Sequence, residues 1–202
     1  MSKVHFFPDF SYHEAKSLEE KYNATDQELL INKASDFICD IVSRSRSKNQ
    51  KYLFICGPGS NGLDGIYCAH KLDSRGYEIE IFNTKKNSNI PFLENFNLRD
   101  KLVNNFRSQI AIRGLLNNDN MTQNLIKEAD LIVNTTPVGM KTAKNKTNVL
   151  PFGKDFWRSI NSKTTIYDLI YNPTPTPLLE LGNKKGCMTI NGLEMLLSLI
   201  HI

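Results

Sequence analysis

Apolar residues along the 202-residue chain change period at one point, near residue 51. Before it, Leu29, Leu30, Ala34, Ile38 and Ile41 return at helical spacing, which predicts a helix over Asp26 to Arg44. Ala24-Thr25-Asp26 supplies capping residues for it, and Tyr12 to Tyr22 reads as a helix ahead of it. Arg44 to Lys51 holds no apolar residue and reads as a surface connection. After it, Tyr52-Leu53-Phe54-Ile55-Cys56 is a continuous apolar run, the pattern of a strand covered on both faces. A glycine-rich turn follows, then a helix over Gly65 to Ser74 with Ile66, Ala69 and Leu72 on one face, closed by Gly76. Tyr77 to Asn83 alternates as a second strand, completing a β-loop-α-β unit of the kind that crosses over right-handed.

The alternation continues. Ser88 to Asn105 is Asn-rich and predicts a helix with irregular flanks, and Gln109 to Leu115 a third strand. Met121 to Glu128 reads as a helix, and Asp130 to Asn134 as a fourth strand ending at Thr135-Thr136-Pro137. A short helix over Trp157 to Ile160, a fifth strand over Thr165 to Tyr171 and a helix over Pro177 to Lys185 complete the series. Strands alternating with helices predict an α/β fold: a Rossmann-like three-layer sandwich with a mainly parallel sheet, preceded by two N-terminal helices, as one domain over 1–202.

Composition narrows the class without changing it. Hydrophobic residues at 40% and charged residues at 23% suffice for a packed core and argue against a disordered chain. The net charge of +4 is mild, and the run from Lys141 to Lys146 reads as a solvated loop, so a nucleic-acid partner is not expected. Cys39, Cys56, Cys68 and Cys187 show no CxxC spacing, so neither zinc nor a redox pair is indicated, and Cys56 and Cys68 read as small buried hydrophobes. The four histidines form no ligand pattern. Met1 to Phe10 lacks a charged segment followed by an apolar run, and no stretch is long enough to span a membrane. These features lead to the expectation of a cytoplasmic enzyme with a small-molecule nucleotide as partner, and a homodimer as its assembly.

The turn after the first strand carries the chemistry. Gly57, Gly59 and Gly62 satisfy G-x-G-x-x-G between a strand and a helix, where backbone N–H groups can approach a phosphate. Asp64 is the odd element, because a carboxylate repels a phosphate beside it. It reads either as a helix cap or, with Asn61, as a group that holds a cation or transfers a proton.

The segment GPGSNGLDGIYCAHKL resembles the loop and helix of the NAD(P)HX epimerase (YjeF N-terminal) family, whose pattern is G-P-G-N-N-G-G-D-G. Glu14 to Tyr22 and Leu29 to Ala34 are similar to that family's leading helices, so the resemblance runs over about residues 10–133. It implies that Gly57, Gly59, Ser60, Asn61, Gly62 and Asp64 bind hydrated NAD(P)H, that Asn61 ligates potassium, and that Asp64 and Asp168 are catalytic. Ser60 and Leu63 depart from the pattern, and Leu63 puts a side chain where the family has glycine.

Residues 129–196 resemble a different family. Asn134-Thr135-Thr136-Pro137-Val138-Gly139-Met140, Tyr167 to Pro173, Thr176-Pro177-Leu178-Leu179 and Asn191 to Leu196 look like shikimate dehydrogenase, in that family's order and spacing. The resemblance implies that Thr135, Thr136, Leu169 and Gly192 line an NADP site and that Tyr171 faces shikimate. The plain alternatives are that Asn134 and Thr135 end a strand and that Tyr171-Asn172-Pro173 forms a turn. Nothing before Lys51 resembles that family's substrate domain, and Leu199 stands where a shikimate-contacting Gln is expected. Lys85 and Lys86 favour NADP over NAD or are surface charge.

The organisation expected is therefore an epimerase-like part over 1–133 and a shikimate-dehydrogenase-like part over 134–196, joined by natural fusion or by an assembly crossover. Leu197 to Ile202 resembles the translation of a transposon-end sequencing adapter and reads as an artefactual tail. Three functions follow: an isomerase of hydrated NAD(P)H, favoured for the length of its resemblance; an NADP-dependent shikimate dehydrogenase fragment; and a catalytically dead NAD(P)-binding module.

Overall fold

The computed structural model describes residues 27–45, 50–57, 59–83, 112–114, 119–141 and 149–200. The expected helices over Tyr12 to Tyr22 and Ser88 to Asn105, and the lysine pair after the second strand, lie outside these residues. The elements are α1 (Gln27–Ser45), β1 (Lys51–Cys56), α2 (Ser60–Ser74), β2 (Glu78–Asn83), β3 (Ile112–Gly114) and α3 (Asp119–Glu128). They continue with β4 (Leu131–Thr135), a 3-10 turn at Lys154–Trp157, β5 (Thr165–Asp168), α4 (Pro177–Lys184), β6 (Met188–Asn191) and α5 (Leu193–Ile200). The strands form one six-stranded sheet in the order β3-β2-β1-β4-β5-β6, with every pairing parallel. The expected Rossmann-like sandwich is therefore the fold.

Alternate residues of the central strands feed two cores. Tyr52, Phe54, Cys56, Leu131, Val133 and Tyr167 point to the face covered by α2, with α1 packed against both α2 and α5. Leu53, Ile55, Ile132 and Ile166 point to the opposite face, where they meet Ile126 of α3, Leu178 of α4, and Trp157. A strand buried on both faces reads as an unbroken apolar run, which is why β1 and β4 were legible.

Three boundaries differ from the expectation. α2 begins at Ser60 rather than Gly65, because Gly59 is extended (φ −98°) and its carbonyl accepts the Leu63 N–H at 3.2 Å. β5 ends at Asp168 rather than Tyr171, and the Asp168 carboxylate takes up the Ile170 N–H at 3.2 Å. The short helix falls at Lys154–Trp157, before Ile160, with Trp157 anchored through an Nε1–H bond to the Pro151 carbonyl at 2.7 Å. The sixth strand escaped the sequence reading. It lies at the sheet edge with its four residues only partly covered, so it carries no apolar run.

Trp157 is fully buried, whereas Met188 on the edge strand is 60% exposed. Trp157→Ala should lower the unfolding free energy by about 3–5 kcal/mol, as expected for a large buried aromatic. Met188→Ala should change it by less than about 0.5 kcal/mol. Urea unfolding of the two variants checks the contrast.

Candidate nucleotide-binding site

The order in which strands are added reverses between β1 and β4, and in open parallel sheets the crevice beyond the strand ends at such a switch point is where ligands sit. Three glycines close this point from one side. A Cβ on Gly57 would lie 3.0 Å from the Thr136 Cα and 3.2 Å from the Thr135 carbonyl. One on Gly62 would collide with the Gly57 carbonyl, and one on Gly65 would lie 2.7 Å from Thr135 Cγ2 and 3.2 Å from the Cys56 sulfur. These positions are glycine so that the first turns of α2 can press onto the ends of β1 and β4. Gly59 differs: among the described residues a Cβ there meets nothing within 4 Å, so they leave the space in front of it open. Behind Gly59, the free N–H groups of a 15-residue helix supply the partial positive charge that suits an anion.

Leu63, the departure from the epimerase pattern, is turned inward and is 3% exposed within the core under α2. Asp64 does not cap the helix. Gly59 is the N-cap, with no side-chain cap bond, and Asp64 follows in the second turn. The Asp64 carboxyl is buried, none of the described residues donates a hydrogen bond to it, and desolvation pushes its pKa up to about 8. Asn61 is exposed on the first turn of α2. Among the described residues no group of three or more His, Cys, Asp or Glu could hold a metal ion.

The opposite wall is built around Asp168, which is wholly buried at the end of β5. Its Oδ1 accepts from Asn134 Nδ2 at 2.9 Å and from the Ile170 N–H, and its Oδ2 accepts from Thr176 Oγ1 at 2.6 Å. Burial raises its pKa to about 6, against the opposing pull of Thr176, the Ile170 N–H and Asn134. Asn134 Oδ1 in turn accepts from the N–H and Oγ1 of Thr136, at 3.1 and 2.8 Å. Thr176 is also the N-cap of α4, its hydroxyl accepting from the Leu179 N–H with Pro177 behind it. Both Asp168 oxygens are thus committed to the fold, an arrangement suited to positioning loops rather than to exchanging a proton with a substrate. Asn134 and Thr176 were not singled out as site residues in the sequence. The Thr-Pro opening of a helix was the available signal for the second.

The remaining expected residues fall into two groups. Thr135 and Thr136 are buried and pack directly against Gly57, and Thr135 also against Gly65. Leu169 and Gly192 meet at the next strand ends, where a Cβ on Gly192 would strike the Leu169 carbonyl. Tyr171 is half-buried beyond β5, its carbonyl accepting from Thr174 Oγ1 at 2.6 Å.

A carboxyl whose folded pKa is raised stabilises the fold while protonated and loses that contribution as pH rises through the folded value. For Asp168 the loss falls between about pH 4 and 6, and for Asp64 it continues to about pH 8. Stability should therefore fall from pH 6 to 8 by on the order of 1 kcal/mol per unit in the wild type. In Asp64→Asn it should stay nearly flat over that window. Urea titrations at pH 6, 7 and 8 check this, and equal slopes in the two proteins would refute it.

Over residues 27–142 the chain matches the model of the family described as YjeF-related protein N-terminus. It is also similar to the shikimate dehydrogenase (NADP(+)) of Prochlorococcus marinus strain MIT 9312, with 69% identity over 99 residues, 49% of this chain and 35% of the relative. To the enzyme of the same name from strain AS9601 it is 40% identical over 212 aligned positions, covering 86% of this chain and 74% of the relative. The chain thus spans about a third of the first relative's length. Among solved structures, shikimate 5-dehydrogenase from Listeria monocytogenes in complex with shikimate and NAD aligns with a TM-score of 0.57 and 22% identity, over 84% of this chain and 55% of that one, a likeness of fold. One match takes in 86% of the chain and the other residues 27–142. The chain belongs to both the YjeF-related N-terminus family, through residues 27–142, and the shikimate dehydrogenase family, and the two share one sheet.

Proposed function

We propose that this chain is a nicotinamide-dinucleotide-binding module of the shikimate dehydrogenase type, taking NADP in front of Gly59 at the head of α2, beside the ends of β1 and β4. The observation that carries the reading is the open space before Gly59 at the head of α2, set at the sheet's reversal point. The pyrophosphate takes the N–H groups of the α2 terminus, and Thr135 and Thr136 back the loop from the end of β4. Leu169 and Gly192 border the next strand ends, where the nicotinamide ring extends, and Tyr171 lies beyond them toward the substrate. The bound dinucleotide supplies hydride chemistry, and these residues hold and orient it. Shikimate is the substrate for which the relatives are named, and oxidation of its hydroxyl is the turnover proposed for the reading.

A second reading, epimerisation of hydrated NAD(P)H, is favoured by the family match over 27–142 and by a buried carboxyl, Asp64, on the phosphate-facing helix. On that reading Asp64, protonated near neutral pH, is the proton-bearing group. Both readings place a dinucleotide at one loop, and they separate by turnover. Interconversion of the two hydrated NADPH epimers above the spontaneous rate supports the second. NADPH formation from shikimate and NADP supports the first, and binding with neither leaves a module that holds dinucleotide without turnover.

Gly59→Ala tests the shared site. Its φ of −98° suits any residue and its Cβ meets open space, so the melting temperature should not move. The methyl group fills the approach to the phosphate, and affinity for NADP should fall about tenfold or more, a cost of about 1.4 kcal/mol per decade. Calorimetric titration showing unchanged NADP affinity in Gly59→Ala would sink the assignment of this loop.

A further inference from the structure

The sulfurs of Cys39 and Cys68 lie 3.3 Å apart, although 29 residues separate them in the chain. Cys39 is on α1 and Cys68 on α2, and both are fully buried. The absence of CxxC spacing pointed away from any redox pair, and the packing of α1 on α2 makes one that spacing cannot show. The two thiols are not equivalent. The Cys39 thiol is held below its ordinary value, first by its hydrogen bond with Cys68 and then by Arg75 at the end of α2 and Lys71 on it, with burial and Asp36 opposing. Cys68 is raised, by burial first and by Cys39 second. Lys71 is itself fixed beside the pair, donating to Asp36 Oδ1 at 2.7 Å and to Ser35 Oγ at 2.8 Å. A disulfide bond is about 2.05 Å long, so bond formation needs the two helices to close by little more than about 1 Å.

We infer that Cys39 and Cys68 are an oxidisable dithiol whose disulfide fastens α1 to α2, the helix that carries the phosphate-facing loop. Hydrogen peroxide is an oxidant small enough for a buried pair. The Cys39 thiolate attacks one peroxide oxygen, an S–O bond forms, the O–O bond breaks, and hydroxide leaves to be protonated to water. Cys68 then attacks the Cys39 sulfur, the S–O bond breaks, and the oxygen leaves as water with the Cys68 proton. Two thiols and one peroxide become one disulfide and two waters.

The purified full chain, treated with hydrogen peroxide and then alkylated under denaturing conditions, tests this directly. Two of its four cysteines should escape alkylation, the chain should be lighter by the mass of two hydrogens, and a peptide joining residues 39 and 68 should be recovered. Dithiothreitol should restore all four labels. The oxidised form should melt at a higher temperature, whereas Cys39→Ser and Cys68→Ser, each folded, should form no internal link and show no such rise. Full alkylation after peroxide, an unchanged melting temperature in a linked protein, or a link through Cys56 or Cys187 would overturn the inference.

Discussion

Asp168 ends β5 without access to solvent, and a charge in that position is tolerable only while donors surround it. Three groups supply them: Asn134 from the end of β4, the Ile170 N–H from its own following turn, and Thr176 from the start of α4. Removing any one leaves a lone pair facing protein, at a cost of about 1–3 kcal/mol or more for a charged group. The constraint therefore fixes three segments at once. β5 must stop where its side chain turns to collect the next N–H, Asn134 must hold its amide toward β5, and α4 must begin where Thr176 can serve both as cap and as donor. One wall of the crevice is thus set by the fold before any ligand arrives, as preorganised binding requires.

The facing wall is set by exclusion. Gly57, Gly62 and Gly65 have no room for a side chain, so α2 seats its first turns directly on the ends of β1 and β4. Of the loop glycines Gly57, Gly59, Gly62 and Gly65, only Gly59 meets no described residue. This difference separates glycines that serve packing from the one that leaves room for a ligand, a distinction the G-x-G-x-x-G spacing does not contain. It also shows how one sheet accommodates motifs of two families. β4 needs only apolar residues on both faces and a small polar residue where it meets the loop. Leu131-Ile132-Val133-Asn134-Thr135 meets that need for β1 on one side and for β5 on the other.

The sheet's centre was legible because strands buried on both faces leave an unbroken apolar record, and Tyr52 to Cys56 and Leu131 to Val133 carry it. The edge was not, since Met188 to Asn191 is only partly covered and mixes polar with apolar positions. Gly57 and Thr135 could each be read as site residues, but their approach to one another is a property of β1–β4 pairing and has no local signature. The same holds for Asn134 with Asp168, and for Cys39 with Cys68: each pair joins elements distant in sequence. The start of α2 was misplaced because Ser60, Asn61 and Gly62 are poor helix formers, and tertiary seating on β1 overrides their propensity.

Two buried carboxyl groups flank the crevice, and the donors around them make them chemically different. Asp168 has three partners that favour its ionised form, so burial raises its pKa only to about 6 and it is charged at neutral pH. Asp64 has no donor among the described residues, so burial acts unopposed and takes it to about 8. Near neutral pH the group on α2 is therefore mostly the neutral acid. An acid next to a phosphate-facing loop was the anomaly in the sequence, because a carboxylate repels a phosphate. A neutral carboxyl removes that repulsion, so the helix terminus proposed to hold the dinucleotide keeps its positive field. The same neutral acid is the form able to release a proton, which is the role the epimerase reading gives Asp64.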